Sequence, residues 1–267
     1  MHDEPLTSDV PAAEAIPRLL EEHGGKIYGL GLRLCGSPDE AEDLVQETFL
    51  QAFRSWNDFE GRSQPSTWLY TIASHLCQRL HRKRSGEPAH MESLEELLPG
   101  PGAAVPQPPN GDDPEHEQIR REAEERLERA IVELPEEFRL PMILKDLLEL
   151  PVALVAEALG VKEATVKTRL HRARLKLRQV LAEGLPQSAS PQEPRHPSVH
   201  MCLDLLQAKQ EALDRGVELA VPGEEICARC RAVFRTMDLA RDICRQITAG
   251  DLPEDVRRML LDRLEAA

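Results

Sequence analysis

The chain has 267 residues, with 33 Lys and Arg against 47 Asp and Glu, for a formal net charge of -14 at pH 7. That surplus of acid excludes a protein that coats nucleic acid by bulk charge, and aromatics at 3% leave little material for a large β-sandwich core. The length exceeds one typical domain, and 41% hydrophobic residues rich in Leu, Ala and Val favour two or three small helical domains in an all-α fold.

No apolar run approaches the roughly 20 residues of a membrane span, and the opening MHDEPLTSDVPAAEA lacks the basic and apolar regions of a secretory signal. A cytoplasmic protein with no membrane partner is the expectation. Proline then divides the chain. The stretch 86–115 holds Pro88, Pro99, Pro101, Pro106, Pro108, Pro109 and Pro114 and reads as a flexible acidic linker, and 184–197 holds Pro186, Pro191, Pro194 and Pro197 and reads as a shorter one. Three ordered blocks are left, 14–85, 116–183 and 198–267.

In the first block, Ser37-Pro38-Asp39-Glu40 has the form of a capping box with proline at the first helical position. Ala41, Leu44, Val45, Thr48, Ala52, Phe53 and Trp56 follow at the spacing of one buried helical stripe. The opposite side carries Asp39, Glu42, Asp43, Gln46 and Glu47, which suits the positive end of the helix dipole and, by itself, solvent. The block closes on WLYTIASHLCQRLHRKR. Trp68 and Tyr70 precede a helix whose end carries Arg79, His81, Arg82, Lys83 and Arg84, either core beside surface or a stacking face beside a phosphate track.

In the second block, Val152, Val155, Ala156 and Leu159 form an apolar stripe that stops at Gly160-Val161, after which Ala164, Thr165, Val166 and Leu170 open another helix. Helix, tight turn, helix is the layout that presents a second helix to the DNA major groove. Residues 162–178 hold Lys162, Lys167, Arg169, Arg172, Arg174, Lys176 and Arg178 against Glu163 alone, a local balance of +6 in an acidic chain. Charge and turn together favour DNA over a merely solvated helix.

The third block is read as a small helical, Cys-rich regulatory domain. Cys227-x-x-Cys230 supplies two thiolates at a spacing that one turn uses on a single metal, and Cys202 lies on a helix whose start can meet that turn. Cys35 and Cys77 fall on apolar helix faces, where a small buried thiol is the default. A phosphate-cradling glycine loop and a nucleophile paired with a base are both lacking, so the reading is not an enzyme.

Taken together, S-P-D-E-A-E-D-L-V-Q-E-T-F-L-Q-A-F, S-T-W-L-Y-T-I-A, L-P-E-E-F-R and G-V-K-E-A-T-V-K-T-R-L-H-R-A-R-L-K-L-R resemble an extracytoplasmic-function (ECF) sigma factor of bacterial RNA polymerase. The resemblance makes 14–85 region 2 and 116–183 region 4. It implies that Asp39, Glu42, Asp43, Gln46 and Glu47 dock on the clamp helices of the polymerase largest subunit, and that region 4 meets the flap. It also implies that Gly61 to Tyr70 and the following helix, with Trp68, Tyr70, His75, Arg79, Arg82, Lys83 and Arg84, open and read the −10 element, holding a flipped base. The −35 element would be read by Lys162, Thr165, Lys167, Thr168, Arg169 and Arg172. A separate anti-sigma factor is a further partner that the resemblance allows.

Three departures qualify the match: His75 stands where many members carry Asn, Cys77 where they carry another small or apolar residue, and Pro151 where they carry Ser or Thr. The tail is similar to the zinc-binding fold of anti-sigma factors, but the histidine of that fold would fall at Gly223. The fourth ligand beside Cys202, Cys227 and Cys230 is therefore open among His200, His196, Cys244 and Glu224, with Cys244 preferred. A fourth thiolate would make a soft site able to take Zn, Cd or Cu(I). Metal or thiol-redox sensing by the tail and a closed structural zinc staple all fit. The alternative from a different class is a free-standing helix-turn-helix regulator with a structural zinc domain.

Overall fold

A computed structural model describes residues 10–35, 37–61, 63–82, 105–106, 113–188, 199–219, 226–247 and 251–265. Ten α-helices run through these residues: α1 (Ala12–Cys35), α2 (Pro38–Ser55), α3 (Pro65–Arg82), α4 (Pro114–Glu133), α5 (Glu136–Met142), α6 (Val152–Leu159), α7 (Glu163–Gly184), α8 (Val199–Arg215), α9 (Ala228–Ile247) and α10 (Glu254–Glu265). A 3-10 turn (Trp56–Asp58) follows α2, and a π-helical turn (Ile143–Leu147) follows α5, closed by Leu148 N–H donating to the Ile143 carbonyl at 3.0 Å. The fold is all-α, with one short addition in which Val105 pairs with Ser188 and Pro106 with Gln187 in an antiparallel bridge. Among the described residues no helix is long and apolar enough to cross a membrane.

Two compact units emerge. One is Met1–Pro88 with Leu154–Gly160 and Thr248–Ala267, the other Ala89–Ala153 with Val161–Ile247. The block expected at 198–267 is thus shared: α8 and α9 belong to the second unit and α10 to the first.

The first unit is built on α1, α2 and α3 packed against one another. Ser37 holds the extended N-cap conformation at φ -131 and ψ 134, with Pro38 at the first helical position, but its side chain makes no capping bond. The capping box is therefore not formed. The Ala41 N–H donates to the Ser37 carbonyl at 3.0 Å, and proline, whose ring fixes φ for a helix, sets the entry. Ala41, Leu44, Val45, Thr48, Ala52 and Trp56 are buried as their spacing predicts. Phe53 is only half-buried, and Phe49, four residues after Val45, fills the core in its place.

Gly31 of α1 lets two backbones meet, since a Cβ there would lie 2.8 Å from the Ala41 Cα. The obstacle is main chain and cannot rotate away. Gly31→Ala is expected to push α1 off α2 and to cost about 1–3 kcal/mol, the usual scale of overpacking, read as a lower midpoint in urea.

In the second unit, α4, α5 and α9 pack on α7. Helix α4 starts on Asp113, whose side chain accepts from the N–H groups of Glu115 and His116. Leu127 and Ile131 of α4, Phe138 and Leu140 of α5, and Leu170, Leu177 and Leu181 of α7 are buried.

Candidate nucleic-acid interface and thiol centre

The acidic side of α2 leaves Asp39, Asp43 and Glu47 exposed, while Glu42 and Gln46 are half-buried. Gln46 is engaged, its Oε1 accepting from Nη1 of Arg263 at 3.0 Å.

The aromatic residues at the start of α3 divide. Trp68 is half-buried, edge-on to Trp56 with centroids 5.7 Å apart and tilted against Phe59 at 5.2 Å. Trp56 stacks on Phe59 at 5.1 Å and donates from Nε1 to the Val10 carbonyl at 2.7 Å. Tyr70 is a correction to the expected DNA face: it is 4% exposed, its ring is edge-on to His23, and its hydroxyl lies 3.4 Å from His23 Nδ1. Burial pushes its phenol up to about 12, and no face is left for a base to stack on. His75 and Arg79 are exposed further along α3, Arg79 donating to Gln51 Oε1 at 3.3 Å. Arg82 ends α3 with its side chain outside the described residues, and Lys83 and Arg84 lie outside them altogether.

Gly160 turns the chain between α6 and α7 at φ +64, a left-handed value that glycine adopts without strain. Lys162 takes the N-cap position of α7 without a side-chain cap bond. Lys162, Lys167 and Thr168 are exposed, and Thr165, Arg169 and Arg172 are half-buried. Arg169 lies 3.7 Å from Glu137 Oε2. The balance of +6 does not all face outward, because Arg174 and Arg178 are 6% and 4% exposed. Removing those two leaves +4 on the outward side of α7.

Arg174 is the centre of an ion network. Its Nη2 and Nε meet Asp146 at 2.7 and 2.8 Å, and its Nη1 donates to Asp214 at 2.6 Å and to Gln210 Oε1 at 3.3 Å. Asp214 also lies 3.3 Å from His171 Nε2, and Gln210 donates to the His171 carbonyl at 3.2 Å. Burial works against the Arg174 charge, but the two carboxylates outweigh it and the guanidinium is held still more firmly protonated. Burial likewise pushes Asp214 up, while the His171 hydrogen bond and Arg174 together bring it below the usual carboxylate range. Asp214 and Gln210 belong to α8, so the tail supplies two of the three partners of a buried arginine on the basic helix. Sequence reasoning missed them. The signal was polar residues at 210 and 214 in the stripe Leu206, Gln210, Leu213, Asp214, where helical spacing calls for apolar ones.

Cys202 of α8, Cys227 just ahead of α9 and Cys230 in its first turn bring their sulfurs within 4.8 Å of one another. Cys227 acts as the N-cap of α9: its carbonyl accepts from the Arg231 N–H at 3.0 Å, and its sulfur from the Cys230 N–H at 3.4 Å. Burial, then the neighbouring Cys202 and Cys227 thiols, raise the Cys230 thiol well above the ordinary cysteine value. All six cysteines are described, and none is in a disulfide. The three thiols share one apolar cluster with Leu206, Leu213, Val233, Phe234 and Met237, and with Leu175 of α7. An ion pair ties α8 to α9 beside it, Lys209 Nζ meeting both Asp238 oxygens at 2.6 and 2.7 Å.

Cys244 does not join them. It is buried on α9 fourteen residues beyond Cys230, and at 1.5 Å per residue the two lie about 21 Å apart along one continuous helix, so they cannot share an ion. His200 is on the first turn of α8 with its side chain outside the described residues, where His196 and Glu224 also fall. Three converging thiols are a ligand set that a soft tetrahedral or trigonal ion accepts.

Residues 19–87 match the family pattern described as Sigma-70 region 2, and residues 124–177 the one described as Sigma-70, region 4. The chain is 35% identical over 188 residues to the ECF RNA polymerase sigma factor SigE of Mycolicibacterium smegmatis, covering 68% of each chain. It is 32% identical over 173 residues to the ECF RNA polymerase sigma factor SigW of Bacillus subtilis, covering 64% of this chain and 90% of the relative. Among solved structures it is similar to the sigma factor RpoE, co-crystallised with the anti-sigma factor NepR, from Bartonella quintana, at TM-score 0.45 and 23% identity, over 63% of this chain and 97% of that one.

Proposed function

The chain belongs to the extracytoplasmic-function sigma factors of RNA polymerase, and on that premise we propose that it joins the core enzyme through α2, opens the −10 element along α3 and reads the −35 element with the outward face of α7. The polymerase contacts are Asp39, Asp43 and Glu47, with Glu42 and Gln46 beside them. On α7 the readers are Lys162, Thr165, Lys167, Thr168, Arg169 and Arg172. At region 2, His75, Arg79, Arg82, Lys83 and Arg84 follow the backbone of the opened strand, and Trp68 supports the aromatic wall against which a base is held. The protein is an initiation factor, not an enzyme, and works in the cytoplasm where polymerase and promoter meet.

The regulatory part of the reading is that Cys202, Cys227 and Cys230 hold a soft metal ion as thiolates and so set the state of α7. One observation supports it: Leu175 of α7 shares a single apolar cluster with all three cysteines. A bound ion supplies the positive charge that makes three adjacent thiolates tolerable. The residues do the rest. Closure of the cysteines fixes α8 against the start of α9, and Asp214 and Gln210 pass that placement to Arg174.

The test is run-off transcription with core polymerase and this protein, loaded with or stripped of Zn, Cd or Cu(I). Promoter-specific product that changes with metal is the expected result; no product in any state ends the sigma reading. Product indifferent to metal ends only the regulatory one. In the same assay Lys167→Ala is expected to weaken promoter occupancy about tenfold, the scale of one lost groove or phosphate contact, with core binding unchanged.

A further inference from the structure

Helix α10 lies beyond both matched regions, the second of which ends at residue 177. It is amphipathic: Val256, Leu260 and Leu264 recur every fourth residue and are 2%, 0% and 3% exposed, while Asp255, Arg258 and Asp262 face solvent. Twelve residues are too few to hold a helix in water unaided, so the seat that buries this stripe is what maintains it. That seat is α1 and α2.

The contacts define a line across the two helices. Leu252 Cδ2, just ahead of α10, lies 3.0 Å from where a Cβ on Gly24 would stand. Arg257 Nη1 is 3.4 Å from Glu21 Oε1 on α1, and Arg263 Nη1 donates to Gln46 Oε1 on α2 at 3.0 Å. Gln46 is one of the residues through which α2 is read to engage polymerase, and Glu42 lies one turn before it.

We propose that α10 is an occluding helix: it sits on α1 and α2, covers the Gln46 end of the polymerase-docking face, and must leave that seat for the complete face to reach the core enzyme. The inference rests on the polymerase reading of α2. An acidic docking face selects a cationic partner; α10 sets Arg263 on Gln46 at one end of that face, and Arg257 on Glu21 of α1 holds the helix in place. Three aliphatic side chains set against the ordering of twelve residues leave a seat that is shallow enough to reopen. The partner that displaces it is a basic helical surface of the polymerase, competing for the same side chains.

The experiment uses the full chain, amide exchange over 251–265, and equilibrium binding to core polymerase. In the free protein α10 is expected to be protected, and in the complex to lose that protection. Leu260→Glu, which unseats the stripe, should bind core about tenfold more tightly if the seat is closed nine-tenths of the time, since apparent affinity scales with the competent fraction. Arg263→Glu keeps the apolar stripe and should give a smaller gain of the same sign, which guards against a misfolded Leu260 variant. Protection of α10 that persists in the complex overturns the proposal, as does loss of protection in both variants with no gain in affinity. Failure of wild type and variants alike to bind core removes the polymerase reading itself, whereas tight and equal binding by all three leaves that reading standing and removes the occlusion.

Discussion

Arg174→Ala is expected to destabilise the second unit by about 3–5 kcal/mol, the range found when one partner of a buried ion pair is removed. The cost has a specific origin. Asp146 and Asp214 both face Arg174 at 2.8 Å or less, and without it two carboxylates share a site shielded from water and lose the guanidinium that bonds them both. Because the folded-state value of Asp214 is depressed, its contribution is present above the unfolded carboxylate value of about 3.9 and is lost as pH falls through the folded value. The wild type should therefore lose stability on acidification below about pH 4, and the deficit of Arg174→Ala should shrink there as the stranded carboxylates take up protons. Urea titrations at pH 7 and pH 3 check both points. A deficit as large in acid as at neutrality would show that the arginine acts through packing and not through charge.

Cys230→Ser is expected to lower metal affinity by more than about a hundredfold, exceeding the roughly 10–100-fold loss typical when a group behind the ligands is changed. Cys230 is the most buried of the three thiols, and in the metal-free protein its proton is held tightly. Loading must displace that proton, so affinity should climb with pH and binding should release protons. Zinc at a thousand times its dissociation constant would add about 4 kcal/mol to the stability of the second unit, a gain that Cys230→Ser should forfeit. Competition against a chromophoric chelator reads the affinity. Cys244→Ser supplies the contrast, since a thiol about 21 Å away along the same helix should leave affinity unchanged; an equal loss in that variant would overturn the three-thiol assignment.

The helices were legible because their apolar residues recur at regular spacing, and α2 and α7 sit where periodicity and turn chemistry put them. What resisted reading was the direction of particular side chains. By residue type Arg174 and Arg178 read as surface charge, although Leu170, Arg174, Leu177, Arg178 and Leu181 form one helical stripe. A charge on such a stripe can be spotted, but its partner Asp214 lies 40 residues away, and no local rule connects the two. Tyr70 was ambiguous for the opposite reason: an aromatic suits both a core and a stacking face, and only the position of His23 decides. The cysteines show both sides. Spacing finds Cys227 and Cys230, and the start of α8 finds Cys202, but Cys244, a suitable ligand by residue type, is carried out of reach because it lies fourteen residues beyond Cys230 on one continuous helix. The division of the tail had no signal at all, because an amphipathic helix does not say against which surface its stripe is buried.

The aromatic cluster at the base of α3 has a practical consequence for all such measurements. The chain has two tryptophans and two tyrosines, and Trp56, Trp68, Tyr28 and Tyr70 all lie in the first unit. Intrinsic fluorescence and near-ultraviolet tyrosine and tryptophan signals therefore come from the first unit and carry no chromophore of the second. A single sharp fluorescence transition would be no evidence that the chain unfolds in one step. Changes at Arg174 or Cys230 need far-ultraviolet ellipticity, calorimetry or amide exchange, while Trp68 emission offers a selective optical probe of what happens at region 2.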